Sequence, residues 1–190
     1  MAAAAATLEK AQFTPEQVDA WDDGVAYEVD EHGRLIERNM GAEADFVAGT
    51  IHSAVSHTAN TNRTGFVFGG GVGLKIFPGR PRRMPRGDVV YISRRRLPRI
   101  PRGLITAPPE LVIEVVSPGD NAEELNAKAH EYLAGGVDLV WVVYPSTRTV
   151  MVFRADGTVS EFGAEDTITG EHAFPEFSAK VASFFALIAE

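Results

Sequence analysis

Cysteine is absent from this 190-residue chain, which removes disulfides, thiolate zinc sites and cysteine nucleophiles together. Any bound metal must then be held by oxygen or imidazole. No apolar run reaches the length of a membrane span, and the opening Met1-Ala2-Ala3-Ala4-Ala5-Ala6-Thr7-Leu8-Glu9-Lys10 lacks the basic start and sustained apolar core of a secretory signal. These absences predict a cytoplasmic protein with no membrane partner. A phosphate-binding loop is missing as well, because Gly69-Gly70-Gly71 has neither a lysine-serine tail nor a following helix. His52, His57 and His130 form no cluster and read as ordinary polar residues. Ser117, beside Pro118 at a strand end, has no histidine base, which argues against a serine hydrolase.

What is present suits one domain. A hydrophobic content of 45% over 190 residues supports a proper core and leaves little room for a second. Residues 1–12 carry no pattern that demands tertiary contact and are expected to be disordered, with the domain spanning 13–190. The net charge of -8 is unevenly spread: residues 80–102 hold nine arginines against the single acid Asp88, a local +8 that leaves -16 elsewhere. Such a stripe is a candidate phosphate-backbone footprint, carried by Arg82, Arg83, Arg86, Arg94, Arg95 and Arg96. Arginine runs also serve as solvated loops or as partners of acids in the same fold.

Along the chain, Thr14-Pro15-Glu16-Gln17 opens a short helix with a capping box, and Asp22-Asp23-Gly24 closes it. Residues 25–29 and 34–40 read as a hairpin turned by Glu31-His32-Gly33. A helical pattern over 41–60 places Glu43, Val47, Ile51 and Ala54 on one face. Strands are expected at 66–68, 73–77 and 88–93. Residues 110–117 form a strand apolar on both faces that carries Glu114 at its centre, and 139–143 form another. The helix between them, 121–134, buries Leu125, Ala129, Tyr132 and Leu133 and ends at Gly135-Gly136, so 110–143 is a parallel, right-handed strand-helix-strand unit. A hairpin over 149–154 and 158–162 and a last helix over 178–188 complete an α/β (α+β) fold with a central mixed sheet flanked by helices.

Three acids interrupt or enter these elements. Glu114 lies mid-strand, Asp88 at a strand entry and Glu43 at a helix start. An ionised carboxylate in a doubly covered strand is costly unless it is paired or holds a cation. Three acids converging without cysteine or histidine describe a hard-cation site of the magnesium or manganese type, suited to phosphodiester hydrolysis. For Glu43 the helix macrodipole alone also favours an acid in a first turn.

The chain from about Thr14 onward resembles the PD-(D/E)xK nuclease superfamily, and within it the Uma-two family of restriction endonuclease-like domains. The resemblance rests on Tyr27-Glu28-Val29 with Gly33-Arg34-Leu35, on Met40-Gly41-Ala42-Glu43-Ala44, on Gly87-Asp88-Val89-Val90-Tyr91-Ile92, and on the run from Ala107 through Glu110 and Glu114 to Pro118. Lys128, Tyr132-Leu133, Gly136-Val137 and Trp141-Val142-Val143 extend it. It implies a metal-dependent endonuclease acting on DNA, with Asp88, Glu114 and the Val115 carbonyl holding Mg2+ or Mn2+ and Glu43 assisting from a helix. Two positions depart from the motif: Gly87 replaces a proline, and Val116 stands two residues after Glu114 where the superfamily has its lysine. The resemblance implies that this lysine has moved to the next helix as Lys128. If that relocation fails, the fold is a catalytically inactive module that binds nucleic acid or a protein. Symmetry arguments for an enzyme that cuts both strands predict a homodimer.

Overall fold

Residues 111–115 and 139–144 are apolar on both faces. In the computed structural model, which describes residues 12–21, 25–38 and 40–186, they lie side by side in the middle of a six-stranded sheet. The chain divides into two compact units, one built from residues 1–39, 71–86 and 101–107, the other from 40–70, 87–100 and 108–190.

The first unit starts with helix α1 (Pro15–Asp19). The Thr14 side chain accepts from the Gln17 N–H and the Gln17 side chain accepts from the Thr14 N–H, so two otherwise orphaned donors are satisfied reciprocally. Strands β1 (Tyr27–Val29) and β2 (Leu35–Glu37) pair antiparallel. In their turn Gly33 adopts a φ of 84°, and Asp30 accepts the backbone N–H groups of His32 and Arg34. Val29 exchanges two backbone hydrogen bonds with Met84, and Val18, Val29 and Met84 form a small core. The buried Glu28 carboxylate lies 3.3 Å from Arg83 and 3.4 Å from Arg38.

The second unit contains helix α2 (Ala42–Asn62), strands β3 (Gly65–Gly69), β4 (Val89–Ser93) and β5 (Leu111–Val115), helix α3 (Ala122–Ala134), and strands β6 (Leu139–Tyr144), β7 (Thr149–Arg154) and β8 (Val159–Phe162). The sheet order is β3-β4-β5-β6-β7-β8, and only β5 and β6 pair in parallel. Strand alternation sorts the side chains. Leu111, Ile113 and Val115 join Val47, Ile51 and Val55 of α2 in one large core with Trp141 and Phe174, each fully buried aliphatic contributing roughly 1.5–3 kcal/mol. Val112 and Glu114 point to the opposite face, where α3 lies.

The end of the chain differs from expectation. Residues 178–188 have helical apolar spacing, yet β9 (Thr167–Gly170) and β10 (Phe174–Lys180) form an antiparallel pair, followed by a single 3-10 turn at Val181–Phe184. Phe174 and Phe177 bury against the sheet from an irregular strand whose register shifts between Phe174 and Ser178, which hides the period of two. Residues 187–190 lie outside the described residues. Residues 73–77 form no strand; only the isolated bridge of Leu74 with Ile105 remains, in a stretch closed off by Pro78, Pro81 and Pro85. Of residues 1–12, expected to be disordered, 1–11 lie outside the described residues, as does the helix stop at 22–24, while the Gln12 side chain accepts from Arg82.

Candidate functional site

Antiparallel pairing of β4 with β5 covers three residue pairs, from Tyr91–Leu111 to Val89–Ile113. Beyond that end the Asp88 N–H donates to the Ile113 carbonyl at 2.9 Å, and the Val115 N–H donates to Asp88 Oδ2 at 2.7 Å. The side chain of Asp88 thus accepts a ladder bond where a backbone carbonyl would stand. Asp88 is 3% exposed, held where the strand has run out. The next residue, Val116, donates to Val143 of β6. Because backbone groups alternate along a strand, the Val115 N–H and C=O both face the β4 side, the side that carries Asp88. Gly87 is constrained by packing: a Cβ there would come within 2.7 Å of Val112. The absence of the motif proline therefore leaves space that Val112 occupies.

Glu114, 3% exposed, points to the α3 face. Asn121 caps α3 by accepting from the N–H groups of Glu123 and Glu124, which sets the helix so that Lys128 and Tyr132, one turn apart, face the strand. Lys128 Nζ lies 3.1 Å from Glu114 Oε2, and the Tyr132 hydroxyl donates to Oε1 at 2.8 Å. An ammonium thus meets the Glu114 carboxylate from the helix layer, while Val116, two residues further along the chain, brings no charge. Spacing alone places Tyr132 in the buried stripe of α3 and carries no signal for its hydroxyl.

Glu43 is exposed in the first turn of α2. That helix packs on the Ile113 and Val115 face, whereas Glu114 is on the other, so the sheet separates the two helix layers. Among the described residues, no group of three or more histidine, aspartate or glutamate side chains is gathered closely enough to hold a metal. The hard oxygen donors near this end of β4 and β5 are the carboxylates of Asp88 and Glu114 and the Val115 carbonyl. Mg2+ commonly takes one or two carboxylates and fills its remaining positions with water and substrate phosphate. The residues present fit that ion.

The arginine segment divides. In the first unit Arg83 pairs with Glu28, Arg86 donates to the carbonyls of Tyr27 (2.7 Å) and Gly71, and Arg82 donates to Gln12. Burial lowers the pKa of Arg86 from its ordinary value, opposed by the charges of Asp19 and Glu28. In the second unit Arg96 grips both oxygens of Asp138 at 2.9 and 2.8 Å and donates to the carbonyls of Pro108, Pro109 and Gly136. It also lies 3.3 Å from the buried Glu110. Arg94 is exposed over the Phe66 ring at 4.5 Å, and the Arg95 side chain is 80% exposed. No helix among the described residues is long and apolar enough to cross a membrane.

Residues 15–182 match the family model described as "Uma2: Putative restriction endonuclease". The fold is similar to that of a crystal structure described as "a putative nuclease belonging to DUF820 from Anabaena variabilis ATCC 29413", with a TM-score of 0.75 and 19% identity over 90% of this chain and 96% of that one. A comparison with curated proteins finds no match. A family match covering residues 15–182 takes in Asp88 before β4, Glu114 of β5 and Lys128 of α3, and the chain belongs to the Uma2 family, with a nuclease-like fold.

Proposed function

We propose that the protein is a metal-dependent endonuclease that hydrolyses phosphodiester bonds in DNA. The observation that carries this reading is the meeting of Lys128 with Glu114 at 3.1 Å on the strand next to Asp88, because it supplies the charge that Val116 cannot. Asp88, Glu114 and the Val115 carbonyl are the groups that would hold Mg2+ or Mn2+. When bound, that ion supplies charge neutralisation of the phosphate and a water of lowered pKa.

The chain's own residues set the stage. Asp88 and Val115 are joined by a hydrogen bond from the Val115 N–H to the Asp88 carboxylate, which holds a carboxylate beside a strand end with little freedom to drift. Lys128, on a flexible stem and half-buried, places an ammonium where negative charge grows on a phosphate in the transition state. Arg94 and Arg95 face solvent from the loop after β4 and would meet the DNA backbone. Glu43 would assist from the exposed start of α2, where the neighbouring Gly41 N–H donates to Ser117 Oγ two residues past the end of β5.

The test is nicking of supercoiled plasmid with and without Mg2+. Cleavage in wild type that needs the ion and vanishes in Glu114→Ala is the expected result. Saturating Mg2+ should also stabilise the wild-type fold, by about 2.7 kcal/mol at a hundredfold excess over its dissociation constant. A melting temperature indifferent to Mg2+ and Mn2+, with no cleavage under either, would return the fold to the binding-module reading.

A further inference from the structure

Tyr132 belongs to the same cluster, and neither charge supply nor metal ligation assigns it a task. Its ring is fully buried, its hydroxyl donates to Glu114 Oε1 at 2.8 Å, and Lys128 Nζ lies 5.9 Å from its ring centroid. For core packing alone a phenylalanine would fill nearly the same volume, so the hydroxyl's own contribution is the bond to the carboxylate. The two donors on Glu114 differ in mobility. Lys128 carries its ammonium on four rotatable methylenes and can withdraw. The tyrosine hydroxyl sits on a rigid ring enclosed on all sides and stays where the helix puts it.

We infer that Tyr132 is a positioning residue for Glu114, holding Oε1 so that Oε2 is the oxygen exchanged between the Lys128 ammonium and an incoming divalent cation. The inference rests on the metal-dependent reading above. It assigns Lys128 two places: on Glu114 before the ion arrives, and turned toward a phosphate afterwards. Hydrogen-bond partners of metal-ligating carboxylates act by fixing ligand orientation.

The experiment is Mn2+ titration by calorimetry on the full chain without DNA, for wild type, Tyr132→Phe and Lys128→Met, beside metal-free DNA affinity. Tyr132→Phe is expected to raise the Mn2+ dissociation constant roughly tenfold or more while DNA affinity stays unchanged. Lys128→Met is expected to bind Mn2+ as tightly as wild type or more tightly, since it removes the competing cation. Equal Mn2+ affinity in Tyr132→Phe, or a parallel loss in Lys128→Met, overturns the assignment. Should Tyr132→Phe fail to fold, Tyr132→4-aminophenylalanine keeps a donor at that place and is expected to bind as wild type; a tenfold loss there also overturns it. A wild-type protein that takes up no Mn2+ instead removes the metal reading itself, a result visible before any variant is made.

Discussion

Lys128 reaches Glu114 because residues four apart on α3 share a face, so its ammonium and the Tyr132 hydroxyl arrive at opposite oxygens of one carboxylate. If the ammonium stabilises charge that appears only in the transition state, Lys128→Met should lower turnover about 100-fold or more while DNA binding holds. Single-turnover cleavage beside a binding titration checks this; unchanged turnover would remove Lys128 from the mechanism. At this scale the sequence is legible for charge and less so for hydroxyls. Glu114 stands out as a carboxylate inside an apolar strand, and its pairing with a lysine follows from the family resemblance. Tyr132 fits an apolar helix stripe so well that its polar end leaves no separate mark in the pattern.

Arg96 belongs to the scale of elements. One guanidinium joins the loop after β4 to the carbonyls that precede β5 and to Asp138 at the entry of β6, so it fastens the N-terminal ends of two parallel strands. Removing it leaves Glu110, buried, with a weakened cation environment. Arg96→Ala should therefore cost about 2–3 kcal/mol, below the roughly 3–5 typical of fully buried pairs because both Arg96 and Asp138 retain some solvent. Arg95→Ala, from a side chain 80% exposed, should cost under about 1 kcal/mol. Urea denaturation of both variants checks the contrast, and equal losses would refute it. The strands around this joint are readable from sequence because doubly apolar runs flanked by turn residues have few alternatives. Strand β10 is not, since Phe174, Phe177, Val181 and Phe184 recur at three- and four-residue intervals that imitate a helix, while a register shift and the 3-10 turn satisfy the same burial.

Over the whole molecule, a net charge of -8 opposes approach to DNA, so the proposed activity requires local basic groups that outweigh the general field. With Arg83, Arg86 and Arg96 engaged inside their own units, the exposed pair Arg94 and Arg95 carries the expectation. Their joint replacement by alanine should flatten the slope of log affinity against log salt by about 1.8, or roughly 0.9 for each phosphate that is no longer neutralised. Fluorescence anisotropy across a salt series measures it, and an unaltered slope would place the DNA elsewhere.

The bond from Val115 to Asp88 carries one more implication, for how function could be lost or kept. An acid that completes strand pairing has a reason to persist in a protein that no longer cuts anything, so its presence alone does not report activity. Asparagine offers the same acceptor oxygen without the charge. Asp88→Asn should therefore keep the metal-free melting temperature near that of wild type and abolish the Mg2+-induced gain, whereas Asp88→Ala should lose both. A single pair of substitutions thus separates the architect from the chemist in one side chain.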